Sequence, residues 1–221
     1  IAITGNVLAA TPFLLTGRPY VSWTSTDWDG DRRDRVRNFP WPRRLLDTCV
    51  NAPVIRRLEK RLLRAGRIVS VSEHTAGVLP QRAGIPLPRV LLPVPVETDL
   101  FVPAPASRVP GRIGFAGRFN DPRKNIGLLV AAAARLRADG HDVHVVLMGD
   151  TPQHGVKHIV AQHGMQAHVG FHPGLARDKM RDLMQTLDVF VVASHQEGLC
   201  ISALEALACG VPVVSTRCGG P

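Results

Sequence analysis

Residues 189–215 read VFVVASHQEGLCISALEALACGVPVVS. Val189–Ala193 and Val211–Ser215 are short runs that are largely apolar throughout, with no alternation of polar and apolar residues. Between them, Ser202–Ala208 has the composition of a helix, and Gly210 follows as a terminating residue. Strands that are apolar on both faces are typical of a parallel sheet covered by helices. This stretch therefore predicts a strand–helix–strand unit of an α/β fold.

The residues before this stretch show the same alternation of strands and helices, which predicts a doubly wound parallel sheet. Ligands of such a sheet bind beyond the carboxyl ends of its strands. The loops in which to look for a site are therefore those after Ala116, Met148, Phe171, Ala193 and Ser215. We predict strands at Arg112–Ala116, Val143–Met148 and His168–Phe171, and helices at Ile126–Asp139, 153–163 and Leu175–Leu187.

The first half of the chain is less regular. Residues 102–111 contain three prolines and no periodicity, which is typical of a linker. We expect one α/β domain in residues 1–101, a linker at 102–111 and a second α/β domain in residues 112–221. In the first domain we predict strands at Pro19–Trp23, Ile68–Ser72 and Val90–Val94, and a helix at Ala52–Ala65.

The composition is that of an ordinary globular protein: 221 residues, 45% hydrophobic and 20% charged. It excludes a disordered chain, a collagen and a disulfide miniprotein, and no apolar run reaches the ~18 residues that a membrane-spanning helix needs. The four cysteines include no CxxC pair, so we expect reduced thiols, no zinc site and a cytoplasmic protein. The GxGxxG and P-loop motifs are absent, so NAD binding and a Walker ATPase have no support.

The positive charge is concentrated in residues 32–67. This segment holds 12 Lys and Arg against three acids, a net charge of +9, which equals the net charge of the whole chain. Aromatic and Leu residues alternate with the arginines, as in Phe39-Pro-Trp41-Pro-Arg43. Three interpretations stay open: contact with an anionic membrane, binding of an anionic acceptor, and a solvated helix face. We do not expect a nucleic-acid partner.

The loop after Ala116 reads GRFNDPRKN, residues 117–125. Arg118 and Lys124 flank a turn at the carboxyl end of a predicted strand, and Lys124 lies just before a helix N-terminus, which attracts anions. Arg as a two-pronged donor and Lys as a point charge suit a diphosphate. The alternative is a solvated loop with three basic residues.

The loop after Ala193 contains Glu197 and Glu205, an E-x7-E pair. Gly198 allows close approach of a ligand, and the amides of Leu199, Cys200 and Ile201 would point outward at a helix start, where a phosphate can bind. Glu205 has a structural alternative, because Ser202-x-x-Glu205 matches a capping box. Among the nine histidines, only His195 lies in this loop.

The run from Glu197 to Ser215, ending in Gly219-Gly220, resembles the signature of the family 4 (group 1) retaining glycosyltransferases of GT-B fold. Gly117-Arg118-Phe119 with Lys124-Asn125 is similar to the phosphate loop of that family, and Met148-Gly149-Asp150 to its strand before the nucleotide base. The resemblance covers most of residues 68–221. It implies two Rossmann-like domains: an acceptor-side domain, incomplete at its start, and a donor-binding domain truncated at its end.

The resemblance also implies roles for individual residues. Arg118 and Lys124 would neutralise the donor diphosphate, Glu197 would hold hydroxyls of the transferred sugar, and Glu205 would hold the ribose. The catalytic residues would be Glu197, Arg118 and Lys124, with no cofactor and no metal, because protein cations stabilise the leaving nucleoside diphosphate. The implied donor-binding residues are Arg118, Lys124, Gly149, Asp150, Glu197, Gly198, Leu199, Cys200 and Glu205.

The chain departs from the family pattern at three places. Cys200 stands where the family commonly has Gly. The family has a His after the strand that Tyr20–Trp23 resembles, whereas this chain has none there, and Ser25 and Asp27 are the candidates to replace it. The glycine-rich loop of the first domain is missing, so we expect a fragment of a longer enzyme.

These observations predict transfer of a sugar from a nucleoside-diphosphate sugar to an acceptor hydroxyl, with retention of anomeric configuration. We expect this reaction in the cytoplasm, and contact of residues 32–67 with the cytoplasmic face of a membrane is one option. The acceptor would be a glycan, a lipid or a small molecule. The alternatives are another GT-B activity, such as a nucleotide-sugar epimerase or a glycogen-synthase-like transferase, and an inactive nucleotide-sugar-binding protein that contacts a membrane or RNA.

Overall fold

The computed structural model describes residues 1–25, 32, 36 and 39–220. The chain forms two compact units. The first spans Ile1–Val94 and also includes Gln196–Leu199 and the glycines Gly219 and Gly220. The second consists of Pro95–His195 and Cys200–Cys218. Both units are built on parallel sheets, as the sequence predicts.

The sheet of the first unit has the strand order β1-β2-β3. Tyr20 fastens this sheet to the longest helix, since its hydroxyl donates a hydrogen bond of 2.6 Å to the carbonyl of Leu62. Burial raises the pKa of Tyr20, so the phenol keeps its proton. The elements are β1 (Ala2–Thr4), α1 (Thr11–Leu15), β2 (Tyr20–Thr24), α2 (Trp41–Leu46), α3 (Ala52–Ala65), β3 (Arg67–Ser70) and α4 (Glu73–Ala83).

A π-helical segment, Asp47–Asn51, joins α2 to α3 without a break, so Trp41–Ala65 is one continuous helical rod. Pro53 lies at the second position of α3. It has no N–H to donate, and its ring crowds the carbonyl four residues earlier. A local π widening relieves such crowding, which accounts for the position of the segment.

The predicted strand at Val90–Val94 is wrong. Only a single bridge forms here, between Ser70 and Leu91. Its two hydrogen bonds run from the Ser70 amide to the Val90 carbonyl and from the Leu92 amide to the Ser70 carbonyl, both 2.9 Å. The pairing stops there because β3 itself ends at Ser70, and the next acceptor of the ladder, the Leu92 carbonyl, accepts Trp23 Nε1 at 2.7 Å.

The sheet of the second unit has the order β6-β5-β4-β7-β8, with every pair parallel. Two separate apolar clusters contain its buried side chains, one centred on Phe115, Leu129 and Leu147, the other on Met148, Phe190 and Ala206. The elements are β4 (Arg112–Gly117), α5 (Ile126–Ala138), β5 (His144–Gly149), α6 (His154–Gln162), β6 (Val169–Pro173), α7 (Arg177–Gln185), β7 (Val189–Val192), α8 (Ile201–Ala208) and β8 (Val213–Ser215).

Strand β4 is the central strand of this sheet, and the order in which successive strands are added changes direction at it. From β4 the chain moves to β5 on one side, and it later returns to β7 on the other side. Such a switch point leaves a crevice at the carboxyl ends of the two strands, where doubly wound proteins bind ligands. The loops after Gly117 and Val192 begin at this crevice.

Residues 102–111 pack along the second unit. Gln185 Nε2 donates to the Val102 carbonyl at 2.7 Å, the Val109 amide donates to the Thr186 carbonyl at 2.9 Å, and Arg108 donates to the Gly210 carbonyl. The domain boundaries at 101 and 112 stay a prediction. By its contacts, the continuous stretch Pro95–His195 belongs to the second unit.

Candidate functional site

Strands β4 and β5 end side by side in a pair of glycines. Gly117 and Gly149 are register partners, with φ angles of 140° and 137°. A Cβ added to Gly149 would lie 2.1 Å from the Gly117 carbonyl oxygen, closer than any side chain permits. The two glycines therefore let both strands turn into their loops at the same point, which opens the space beyond the sheet.

Asn120 ties the loop after β4 to the loop after β5. Its amide N–H donates to Asp150 Oδ2 at 3.2 Å, and its side-chain Nδ2 donates to the Thr151 carbonyl at 2.9 Å. Its Oδ1 accepts the Gln153 amide at 3.0 Å. Asp150, a predicted donor-binding residue, thus positions this loop. The sequence analysis missed Asn120, and no local signal would have paired residues 30 apart.

Arg123, one of the three basic residues of the loop, is buried. Asp121 caps the short helical turn Pro122–Lys124 by accepting the Arg123 amide, and it also accepts Arg123 NH2 at 2.6 Å. Burial raises the pKa of Asp121, but the hydrogen bonds and charge of Arg123 outweigh this effect and hold it below its ordinary value. The Arg123 carbonyl accepts the His195 amide at 2.8 Å, which joins this loop to the one after β7.

Arg118 and Lys124, the predicted diphosphate ligands, lie on either side of this turn. The Arg118 side chain is 71% exposed, with Asp121 Oδ2 3.8 Å from its guanidinium. Lys124 is half-buried and ends the turn Pro122–Lys124, directly before α5. One cation of the loop is therefore structural, and the exposed Arg118 lies where an anion at the end of β4 could reach it. The binding role of both residues stays a prediction.

Glu205 is 5% exposed and lies next to Arg177, at 3.4 Å from its guanidinium. Arg177 also lies 3.4 Å from Glu97 and packs over the ring of Phe101. Burial raises the pKa of Glu205, Arg177 opposes this rise, and the charge of Glu97 adds to it. Arg177 and Glu97 were not anticipated from the sequence, because they are distant from Glu205 along the chain.

The capping-box interpretation of Glu205 is wrong. Helix α8 begins at Ile201, so Ser202 is already inside the helix. The N-cap is Cys200, whose side chain makes no capping hydrogen bond, and the Ser202 hydroxyl contacts Cys200 Sγ at 3.7 Å. A capping role at the N-terminus of α8 therefore does not explain the position of Glu205.

Cys200 adopts a left-handed backbone conformation, with φ 59° and ψ 71°. This region is strained for a residue with a Cβ, whereas glycine enters it freely. The conformation gives a physical reason for the glycine expected at this position, and it starts α8 one residue before the helix that the sequence predicts.

Glu197, Gly198 and Leu199 group with the first unit. Glu197 is buried, and its carbonyl accepts the Gly220 amide at 3.1 Å. A Cβ on Gly198 would lie 1.4 Å from the Ser25 carbonyl oxygen, so no other residue fits there. Ser25 therefore contacts the predicted site through its backbone. Asp27, the other candidate for the missing His, lies outside the described residues.

A histidine that the sequence analysis did not single out lies next to this segment. The imidazole of His74 would be 2.6 Å from a Cβ on Gly219, which itself pairs with Glu197 through a backbone bridge. Among the described residues, no cluster of three or more His, Cys, Asp or Glu side chains has the arrangement of a metal site. No helix in that part of the chain is both long and apolar enough to cross a bilayer.

Known proteins resemble this chain in sequence and in structure. Over 212 residues it is 29% identical to MMP alpha-(1->4)-mannosyltransferase of Mycolicibacterium hassiacum, covering 92% of this chain and 49% of that protein. Sucrose-phosphate synthase from Thermosynechococcus elongatus matches with a TM-score of 0.75 and 21% identity over 99% of this chain and 56% of its own. Anabaena HepE in complex with UDP-glucose matches with a TM-score of 0.72 and 18% identity over 97% and 57%.

The chain thus spans about half the length of the proteins it matches. Its α/β fold with two parallel sheets is that of these GT-B glycosyltransferase structures. The family described as Glycosyl transferases group 1 matches residues 110–221, which is half of the chain and contains Arg118, Lys124, Glu197 and Glu205. By this match, the chain belongs to the group 1 glycosyl transferases.

Proposed function

We propose that the complete protein transfers a hexose from a nucleoside-diphosphate sugar to an acceptor hydroxyl, with retention of anomeric configuration as in family 4. The observation that carries this proposal is the position of Arg118 and Lys124. Both follow the carboxyl end of the central strand β4, at the switch point of the strand order. A hexose donor is supported by the similar proteins, one named a mannosyltransferase and one in complex with UDP-glucose.

In this proposal the diphosphate lies in the crevice beyond β4. Arg118 grips it with two N–H groups, Lys124 adds a point charge, and the amides after Gly198 hold the distal phosphate. Negative charge builds on the diphosphate as its bond to the sugar breaks, so fixed cations at this place lower the barrier without a metal or cofactor. Asn120 and Asp150 keep the loop in position before the donor arrives.

Retention follows from attack on the face that the leaving group departs from. The acceptor oxygen forms the new bond to the anomeric carbon, the bond from that carbon to the diphosphate oxygen breaks, and the acceptor proton passes to the departing phosphate. No covalent enzyme intermediate forms. Glu197 holds hydroxyls of the sugar during this step.

Glu205 accepts hydrogen bonds from the ribose hydroxyls in this scheme. The carboxylate has two oxygens, and Arg177 approaches one of them, Oε1. Among the described residues, Arg177 is the cation that pairs with this carboxylate, and a carboxylate can accept further hydrogen bonds from two hydroxyl donors. Gly149 and Asp150, at the end of β5, lie beside the nucleotide base.

We place the reaction in the cytoplasm. All four cysteines, which lie within the described residues, are thiols rather than disulfides, and Cys49 is exposed. Reduced thiols are the rule in that compartment and the exception outside it.

The test is a product analysis with the complete protein. UDP-, GDP- and ADP-hexoses labelled with ¹³C at the anomeric carbon are offered with candidate acceptors, and NMR follows the anomeric signal. We expect an α-linked product from an α-linked donor. A β-linked product would overturn retention, and nucleotide binding without any turnover would favour an inactive binding protein.

A further inference from the structure

The helical rod Trp41–Ala65 leaves a row of large apolar side chains exposed. Trp41 is 76% exposed and Val54 is 56% exposed, with Leu45, Leu46 and Val50 between them also at least half exposed. Trp41 and Leu45 are four residues apart, as are Leu46, Val50 and Val54, so members of each set are neighbours on the helix surface. Helix α2 has no buried residue at all. Such a contiguous apolar row is unusual for a surface that faces only water.

The same rod exposes only positive charge. All seven of its cations are exposed, whereas its two acids are withdrawn from the surface. Asp47 forms an ion pair with Arg32, and Glu59 is 3% exposed. The exposed cations are Arg43, Arg44, Arg56, Arg57, Lys60, Arg61 and Arg64. Two of them also contact the protein: Arg64 Nε donates to the Ala83 carbonyl at 2.8 Å, and the Arg43 guanidinium packs over the Phe39 ring.

The opposite side of the rod is fixed to the first unit. Ala52, Leu62 and Leu63 are buried, and the Leu62 carbonyl accepts the Tyr20 hydroxyl. The apolar and basic side chains are therefore presented on a helix that is already folded and anchored. Docking of this face would cost no helix formation, in contrast to a peptide that must fold on a surface.

We propose that this face, Trp41–Arg64, docks on the surface of a bilayer that contains anionic lipid. Trp41 and the aliphatic row would enter the boundary between headgroups and acyl chains, and exposed cations such as Arg57 and Arg61 would lie among the lipid phosphates. An RNA partner fits less well. Phosphate contacts would use the cations, but Leu45, Leu46, Val50 and Val54 have no hydrogen-bonding groups and would stay in water on an RNA.

This inference does not depend on sugar transfer, because vesicle binding can be measured without turnover. The experiment is sedimentation of the 221-residue chain with phosphatidylcholine vesicles that contain or lack phosphatidylserine, at low salt and at about 1 M salt, where the Debye length is ~3 Å. We expect binding only with phosphatidylserine and only at low salt. Binding should be accompanied by a blue shift of tryptophan emission that Trp41→Ala removes.

Two variants separate the parts of the surface. Arg57→Glu with Arg61→Glu should weaken vesicle binding at least tenfold, and Val50→Ser with Val54→Ser should weaken it at least fivefold. The matched control is Arg135→Glu with Lys157→Glu, which makes the same change of net charge at exposed positions of the second unit. Its vesicle affinity should stay within about twofold of that of the unchanged chain. Circular dichroism and thermal melting establish that each variant is folded.

Several results would overturn the proposal. They are absence of sedimentation at low salt, equal binding to vesicles without phosphatidylserine, equal losses in the control pair, and tighter binding to a short single-stranded RNA than to anionic vesicles. Nucleotide titrations on the same variants should give unchanged affinities. A loss confined to nucleotide binding, with vesicle binding intact, would also overturn the docking proposal. The transferase proposal is tested separately, by the product analysis of the complete protein.

Discussion

The guanidinium of Arg177 lies 3.4 Å from the carboxylate of Glu205, and it is half exposed while Glu205 is almost completely buried. The pair is therefore asymmetric. Arg177 keeps much of its hydration, whereas Glu205 depends on Arg177 to remain charged in a buried position. Because burial dominates, the pKa of Glu205 stays above its ordinary value in spite of Arg177.

Arg177→Ala should weaken nucleotide binding at neutral pH. Removal of the cation takes away the charge that opposes burial, so the pKa of Glu205 should rise further and the pH below which nucleotide affinity is lost should move upward. We expect about a tenfold loss of affinity, ~1.4 kcal/mol, with partial recovery in Arg177→Lys. Calorimetric titration of UDP, GDP and ADP at several pH values measures it. An affinity that is unchanged at every pH would show that Arg177 does not support the site.

Glu205→Gln should raise the free energy of unfolding near pH 7. Because the folded-state pKa lies above the unfolded one, the native state binds more protons between the two values, and stability falls as pH rises through that interval. The uncharged amide removes this cost, so the gain should disappear below about pH 4. Urea titrations at pH 7 and pH 4 test this. The same variant should lose nucleotide affinity; a variant that is both less stable and fully able to bind would contradict the assignment.

Gly149→Ala should destabilise the protein by about 2 kcal/mol or more, since the new methyl group would meet the Gly117 carbonyl at a φ that side chains avoid. Gly155→Ala is the matched control. That position is in helix α6 with open space around it, and alanine there should raise stability by roughly 0.5–1 kcal/mol. Thermal melting of both variants gives the comparison, and equal melting temperatures would refute the close approach.

Arg118→Ala and Lys124→Ala should each raise the barrier to transfer by about 2–4 kcal/mol and leave folding nearly unchanged. Arg123→Ala, in contrast, should lower the free energy of unfolding by about 2 kcal/mol or more, because it removes the partner of Asp121 inside the loop. The Asp121 contribution is present above its ordinary pKa and is lost as pH falls through the lower folded value, so Arg123→Ala should flatten the stability profile at acid pH. Turnover and urea midpoints of the three variants, measured in the complete protein, separate the roles.

Cys200→Gly should be at least as stable as the natural chain, and Cys200→Val less stable. A left-handed residue with a Cβ carries roughly 1–2 kcal/mol of strain, which glycine relieves at an entropic cost of roughly 0.5–1 kcal/mol. Valine adds a branched Cβ at the same φ of 59°. Denaturant titration ranks the three. A valine variant as stable as the glycine variant would mean that the backbone strain is absent.

The sequence predicted the elements that depend on local pattern. Strands such as β4 and β7 are apolar throughout, so they are recognisable without their neighbours, and helix α3 keeps its predicted bounds because Gly66 follows it. The predicted strand at Val90–Val94 is wrong although the run is apolar. Strand β3 ends at Ser70, and the Leu92 carbonyl accepts Trp23 Nε1, a contact between residues 69 apart that no local pattern reveals. The capping box of Ser202 and Glu205 was predicted wrongly because α8 begins at Ile201, so Ser202 lies inside the helix and is not its N-cap.

The binding roles of the site residues stay predictions, but the contacts that hold these residues in place were not anticipated from the sequence. Arg118 and Lys124 could be identified from their place after a strand. The burial of Arg123 against Asp121, by contrast, depends on how a nine-residue loop closes on itself. The pairing of Arg177 with Glu205 depends on two helices whose packing no local pattern specifies.

Asn120 uses both ends of its side-chain amide on the backbone of the neighbouring loop, and its own amide on Asp150. The loop is therefore ordered in the absence of a ligand, so ligand binding would not include the free-energy cost of ordering it. Association with such a preformed surface changes little apolar exposure in the protein itself, so its heat-capacity change should come almost entirely from the ligand and the groups it covers. The Asn120 side chain thus holds the two loops beside the crevice in one conformation.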